Sequence, residues 1–300
     1  MQSPYNNRYE SFNESPEDAQ ERFERGQRKK ALEIVCYVCG AGSFGLFIRW
    51  LQTMLAFDEN GLVDGSIFNV LVLLALFISA YIFLRFVDRF KNDLFYTPDD
   101  FFDAFYNPGK LYTAVRWVIG ALMLGGALVL LVESETDKNK GFYLVLVLLG
   151  ALTGISYPLM LSSANRPHAT KLNAVCLMSA IPIVLFCMWL VTIYKVNSIE
   201  SVKWAYGPEC MAAIVSAIAF FRIAGYPFGS PNSWRTLFFC MLGGALDIVM
   251  LADTRYIGLQ LMFLAAAAMQ IFYVWLMVCN MGQGEEPERE QPDDGFERLR

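Results

Sequence analysis

The sequence predicts an all-α membrane protein, and three observations carry that prediction. Of its 300 residues 55% are hydrophobic and only 18% are charged, whereas about 25% of a typical soluble domain is charged. The apolar residues form eight runs, each close to the roughly 20 residues that an α-helix needs to cross a bilayer. The charged residues gather in the tails and in the connections. We therefore expect a polytopic bundle of eight transmembrane helices rather than a barrel of short alternating strands.

The limits of the apolar runs place the eight spans. They cover residues 31–57, 66–87, 111–132, 142–163, 172–194, 206–226, 235–252 and 257–280. The first run is longer than the apolar region of a signal peptide and follows a polar stretch, so we expect it to remain a span. Only a few residues around Asp253 separate the last two runs. That short connection predicts a tight helical hairpin.

The chain divides into a cytoplasmic N-terminal tail over 1–30, a transmembrane domain over 31–280, and a mobile, charged C-terminal tail over 281–300. In the first tail Ser15 and Pro16, followed by two acids, are typical of a helix start, so we expect that helix to run into the first span.

The transmembrane domain contains one short repeat. The string Met-Leu-Gly-Gly-Ala-Leu occurs at 123–128 in the third span and again at 241–246 in the seventh. Both copies run in the same direction through the membrane, which a 4+4 duplication with parallel halves would produce, and transporters are often built from repeats. The alternative is a chance match among the residues that are commonest in membrane spans.

The distribution of Lys and Arg predicts the orientation of the bundle. With a cytoplasmic N-terminus, most basic residues fall on the inner flanks of the spans. The outer flanks hold Lys138, Lys140, Lys195, Lys203 and Arg255. Because cytoplasmic flanks carry the excess of basic residues, we expect both termini to be cytoplasmic.

The longest connection, over 88–110, contains a second helix-start signal at 97–100. Phe101, Phe102, Phe105 and Tyr106 follow it and would cluster on one side of a short helix. We interpret this helix as lying on the inner membrane surface. The alternative is that 97–107, or the tail over 1–30, binds a cytoplasmic protein partner.

Three charged residues lie inside apolar runs, where a charge costs at least about 2.5–3.5 kcal/mol. They are Arg49 in span one, Glu209 in span six and Asp247 in span seven. A rise of 1.5 Å per residue places all three roughly 6–9 Å to the outer side of the midplane. We expect Arg49 to meet one or both carboxylates there. Such a cluster would bind a small solute or a proton, or a lipid or partner helix. The alternative is a structural ion pair.

Small residues near these charges predict close helix contacts. The candidate packing residues are Gly42, Gly45, Gly150, Gly154, Gly243 and Gly244. Gly42 and Gly45 share a helix face with Arg49, and the pair at 243–244 stands one turn before Asp247. Ser216 lies on the same face as Glu209. We expect spans one, six and seven to pack through these faces.

Motifs for catalysis and cofactor binding are missing from the sequence. It contains no phosphate-binding loop, no zinc-protease or nucleophile-elbow motif and no dinucleotide fingerprint. The one histidine, His168, falls in a predicted loop, and the seven cysteines lie in or beside spans, which favours neither a metal site nor disulfides. We expect no enzyme activity, no cofactor, no bound metal and no nucleic-acid partner.

Two short segments carry a resemblance. Ala56-Phe57-Asp58-Glu59 after span one, and Leu237-Phe238-Phe239-Cys240 at the start of span seven, resemble uncharacterised multi-pass membrane proteins of gram-positive anaerobic bacteria. The resemblance implies a bacterial cytoplasmic membrane and brings no activity with it. From the residues, the function is that of a permease-like or solute-binding protein that uses Arg49, Glu209 and Asp247, or of a non-transporting accessory or scaffold protein.

Overall fold

The computed structural model describes residues 16–55, 57–58, 61–62, 67–92, 95–165, 172–197, 203–253 and 256–283. Its helices are α1 Pro16–Leu55, α2 Ile67–Asn92, α3 Phe101–Ala104, α4 Lys110–Glu133, α5 Lys140–Ser163, α6 Leu172–Asn197, α7 Lys203–Ala224, α8 Ser233–Val249 and α9 Ile257–Cys279. Its two-residue strands are β1 Phe57–Asp58, β2 Gly61–Leu62, β3 Phe95–Tyr96 and β4 Gly282–Gln283. The strands form two antiparallel pairs, β1 with β2 and β3 with β4.

The prediction of eight spans is confirmed. Within the described residues, eight helices are long and apolar enough to cross a membrane, and they are all the helices except the four-residue α3. Their limits follow the apolar runs closely because a helix satisfies its own backbone hydrogen bonds wherever water is missing. The predicted helix start is also confirmed, since α1 begins at Pro16 and continues into the first span. His168 and the tail residues 1–15 and 284–300 lie outside the described residues.

Helix α9 occupies the centre of the bundle. In its most apolar stretch 72% of the residues are buried, against 11% in α2. It packs against α1, α4 and α8, while α5, α6 and α7 continue the ring from α4 round to α8. Helix α2 contacts α1 and α8 from outside that ring. This arrangement explains why α9 has the most uniformly apolar sequence and why α2 exposes many large apolar side chains.

The closest helix crossing joins α4 and α5 through glycine. A Cβ atom at Gly120 would lie 2.5 Å from the Gly154 carbonyl oxygen, and one at Gly154 would lie 2.7 Å from the Gly120 oxygen. Pro158 has no N–H to donate to the carbonyl of Gly154, four residues earlier, and its ring also lies against Gly120. The proline thus leaves a carbonyl that faces the neighbouring helix, and the two glycines let that helix approach.

Leucine at position 154 is expected to lower the free energy of unfolding by about 2 kcal/mol, because its side chain would push against the α4 backbone. SDS titration in mixed micelles measures the loss. Gly125→Leu is the matched control, since a Cβ at Gly125 meets nothing within 4 Å. Equal stability of the two variants would contradict the crossing.

The two ends of the transmembrane domain meet at one end of the bundle, which we call the proximal end. Gln27 of α1 donates its amide N–H to the carbonyl of Met281 (3.2 Å), just after α9. Asn280 donates to the carbonyls of Ala104 and Tyr106 (3.0 Å each), and β3 pairs with β4 beside them. The described start of the predicted C-terminal tail, 281–283, is therefore packed against the bundle.

The segment over 97–107 does not lie on the bundle surface with its aromatic side exposed. Asp100 caps the short helix α3 by accepting from the Phe101 N–H (2.8 Å), as the helix-start signal predicts. Phe101 and Phe105 are fully buried, and Phe105 packs edge-on against Tyr226 and Tyr273. Burial raises the pKa of Tyr226, whose hydroxyl donates to Ser233 (2.8 Å). The interpretation as a surface helix is wrong, because α3 closes the proximal end of the core.

The opposite, distal end is closed by the tight hairpin between α8 and α9. A single 3-10 turn, Met250–Ala252, ends α8. The Glu133 carboxylate accepts the N–H groups of Ile257 (3.2 Å) and Gly258 (2.8 Å), which open α9. A carboxylate at a helix N-terminus satisfies donors that have no partner inside the helix. The end of α4 therefore fixes the start of the central helix.

Candidate functional site

The most deeply enclosed charged residue of the described chain is Asp247, on α8. Its two carboxyl oxygens each lie 2.9 Å from the Ser216 hydroxyl of α7, and one oxygen accepts from the Gln270 amide of α9 (2.7 Å). The same amide nitrogen lies 2.9 Å from the Ser216 oxygen. All three side chains have no more than trace exposure to solvent. We call Asp247, Ser216 and Gln270 the carboxyl triad.

One polar atom of the carboxyl triad is left without a hydrogen bond. The side-chain oxygen of Gln270 has no partner among the described residues, although it is fully buried. It lies against Gly243, where a Cβ atom would collide with it. Glycine thus makes room for the amide beside the carboxyl group, one turn before Asp247.

Every partner of the Asp247 carboxyl group is neutral. Ser216 carries one hydroxyl proton and can either donate to the carboxyl group or accept from it, while the Gln270 amide only donates. A charged carboxylate buried without a cation carries a large desolvation cost. The triad therefore suits a carboxyl group that holds a proton while the three helices are closed around it.

Arg49 reaches a different partner from the one that the sequence predicts. Its Nε and Nη2 donate to one oxygen of Asp253, at 3.1 and 2.9 Å, and its Nη1 donates to Gln52 (2.7 Å). Arg49 is 1% exposed and the Asp253 side chain 26%. The carbonyl of Asp253 also accepts from the Gln260 amide of α9. This ion pair ties the outer end of α1 to the distal hairpin.

Glu209, at the outer end of α7, faces α6. The Trp189 indole donates to its carboxylate (3.0 Å), and the indole itself is buried in a stack with Phe186. Glu209 and Trp189 line a cavity of about 10 Å³ together with Thr192. That volume is close to the least that holds one water molecule.

The structure does not bring Arg49, Glu209 and Asp247 into one cluster. The depth estimate placed their Cα atoms in one layer, but their side chains contact three different sets of partners. An arginine side chain extends several ångströms along the helix toward the membrane surface, so Arg49 finds its carboxylate in the connection after α8. The expected single layer is therefore replaced by a dry triad and an ion pair at the end of the bundle.

Two partners were missed at the sequence stage of reasoning about sites, and each had a signal. Gln270 is an amide near the middle of an apolar span, and a buried amide needs a hydrogen-bond partner. Asp253 is an acid at the end of the span that follows Asp247. Ser216 had been placed on the relevant face of α7 and does meet Asp247.

The six candidate packing glycines all lie where another chain segment approaches. A Cβ atom at Gly42 or Gly45 would lie within 3 Å of Ile248 or Val249 of α8. A Cβ at Gly150 would lie 2.6 Å from Met262 of α9. Gly154 faces α4, and Gly243 and Gly244 face α9. Helix α8 consequently packs against both α1 and α7, as expected for spans one, six and seven, and it is the helix that joins them.

The comparisons with known proteins add no name to this geometry. The chain matches no protein-family model, no curated protein and no solved structure. By its eight apolar helices, the chain is a multi-pass integral membrane protein.

Proposed function

We propose that this protein is a permease-like membrane protein in which Asp247 binds a proton between α7, α8 and α9. The observation that carries the proposal is the complete burial of this carboxyl group among neutral partners. Intramembrane carboxyl groups of this kind mark proton and solute pathways in many membrane proteins.

Loss of the proton would change the packing of three helices. A buried carboxylate without a cation costs several kcal/mol, so the charged form favours any arrangement that admits water or a cationic solute to Asp247. Ser216 and Gln270 hold the carboxyl group from two other helices, so their separation opens the site. Protonation would then favour closure, and this exchange links proton binding to a change in helix packing.

Infrared difference spectroscopy of the reconstituted protein tests the proposal. We expect a carbonyl stretching band of a protonated carboxylic acid in the wild type and its disappearance in Asp247→Asn. Asparagine has the shape of the protonated acid and keeps acceptors and donors for Ser216 and Gln270, so this variant is expected to fold normally.

Glu209→Gln is the matched control, because it removes the other intramembrane carboxyl group and should keep the band. A wild-type spectrum without the band would overturn the proposal. Movement of the band to the Glu209 variant would transfer the proton site to Glu209. Proton uptake by liposomes that contain the protein and a pH-sensitive dye gives a second readout, which Asp247→Asn should abolish.

The non-transporting accessory or scaffold role is the second candidate, and the length of α1 favours it. Its 40 residues extend about 60 Å, twice the hydrocarbon thickness of a bilayer. The part before the span is charged, with exposed ion pairs from Glu21 to Arg25 and from Glu24 to Arg28. Such a helix offers a surface to a protein partner. Deletion of residues 1–20 should then remove co-purifying proteins.

The cellular setting completes the proposal. We infer cytoplasmic termini from the basic inner flanks and a bacterial cytoplasmic membrane from the resemblance of two short segments. We propose no catalytic step, no cofactor and no nucleic-acid partner.

A further inference from the structure

A second candidate site lies on the outside of α8, between α1, α2 and α7. It is a cleft of about 180 Å³, partly open to the surroundings of the bundle. Its lining residues include Ala41, Gly45, Val72, Leu76, Met211 and Ala245. We call this space the α2 cleft, because α2 forms its outer wall.

The lining of the α2 cleft is almost entirely hydrocarbon. The one hydroxyl side chain in it, Ser79, donates to the Ala75 carbonyl of its own helix (2.7 Å) and so has no hydrogen left for a ligand. Arg49 and Asp247, although close in sequence to the lining residues Ile48 and Leu246, are not part of the wall. A ligand of this cleft must therefore be apolar along the part that enters it.

The size of the α2 cleft restricts its occupant further. Its volume equals the share of about six water molecules at roughly 30 Å³ each. An α-helix with its side chains is about 10–12 Å wide, so a helix from a second copy does not fit inside. Small residues such as Ala41, Gly45 and Ala75 make the space narrow rather than broad. A single unbranched hydrocarbon chain has the required cross-section.

A further cavity continues the space along the seam between α1 and α2. It has a volume of about 230 Å³ and shares Ala41, Ala75 and Ser79 with the α2 cleft. Its own lining adds Gly40 and Phe44 of α1. Helix α2 thus touches α1 along a narrow line of small residues, with apolar space on both sides.

We propose that the α2 cleft binds one acyl chain of a bilayer phospholipid. Empty apolar space forfeits dispersion contacts with its lining, and the acyl chains around α2 are already present at high concentration. The cleft residues of α8, among them Leu242, Ala245 and Val249, lie on a different face from Gly243 and Asp247. A bound chain would therefore support α8 from the side opposite the carboxyl triad.

Photolabelling tests this proposal in vesicles of phosphatidylethanolamine and phosphatidylglycerol. A fraction of the phosphatidylglycerol carries a diazirine on one acyl chain, and mass spectrometry locates the adducts. We expect adducts to concentrate on cleft residues such as Val72 and Met211 rather than on Leu177, a lipid-facing residue of α6 that is 70% exposed.

Val72→Phe fills the cleft and should reduce the adducts at Met211 several-fold, because the ring takes the space of several methylene groups. Leu177→Phe is the matched control, since it adds a ring on an open surface and should leave cleft labelling unchanged. If Val72→Phe does not elute as a folded protein, Met211→Trp fills the same space from α7, with adducts then counted at Val72. Labelling in proportion to exposure alone would overturn the proposal, as would a Leu73→Cys disulfide that joins two copies across the cleft.

Discussion

Replacing Asp253 with alanine is expected to destabilise the folded bundle by about 3–5 kcal/mol. The substitution removes the carboxylate that accepts two hydrogen bonds from Arg49, while the guanidinium stays buried beside Gln52. A buried charge that loses its counterion keeps its desolvation cost without the attraction that offset it. SDS titration in mixed micelles measures the change in unfolding free energy.

The controls for this prediction use the same pair. Asp253→Asn keeps an acceptor for Arg49 and should cost less than alanine. The double variant Arg49→Met with Asp253→Ala removes both charges and should be more stable than Asp253→Ala alone, because a buried pair is often replaced by apolar residues at little cost. An effect of Asp253→Ala below about 1 kcal/mol, typical of a surface pair, would show that the pair does not hold α1 to the hairpin.

Replacing Phe105 with alanine is expected to cost about 3–5 kcal/mol, as truncation of a buried aromatic ring usually does. Phe105 is fully buried and meets Tyr226 and Tyr273 at ring-centre distances of 5.1 and 5.2 Å. The cavity left behind would lie where α3, the turn before α8 and the end of α9 meet. Loss of ellipticity on SDS titration again gives the unfolding free energy.

Tyr106→Ala is the matched control, since the next residue along the chain is 52% exposed and its loss should change stability little. The comparison also bears on the scaffold role. If 97–107 bound a partner through its aromatic side, Phe105→Ala would remove that partner without unfolding the protein. A stability loss confined to Phe105→Ala agrees instead with its place in the core.

The number and limits of the membrane helices were predictable because each follows from local composition. An apolar run of about 20 residues has one stable conformation in a bilayer, whatever its neighbours do. The start of α1 at Pro16 and the cap of α3 at Asp100 were likewise local signals. The position of α3 was not predictable in this way. Its exposed or buried state depends on how Phe105 meets residues more than 100 positions later.

The site shows the same division. Sequence reasoning found Asp247, Arg49 and the glycines beside them, because charges and small residues inside apolar runs are visible without a fold. It paired Arg49 with the wrong carboxylates, since helical rise estimates the depth of a backbone and not the reach of a side chain. Ser216 and Gln270 join Asp247 only once α7 and α9 are rotated toward α8.

By itself the sequence determined an eight-span membrane protein with a few charged residues inside its helices. The bilayer allows few other structures for such runs, which is why composition was sufficient. Only the tertiary structure decided that Asp247 is held by neutral partners, that Arg49 pairs with Asp253, and that α2 leaves an apolar cleft. Those outcomes depend on the rotation of each helix about its axis, which contacts between distant residues set, such as that of Gly42 with Ile248.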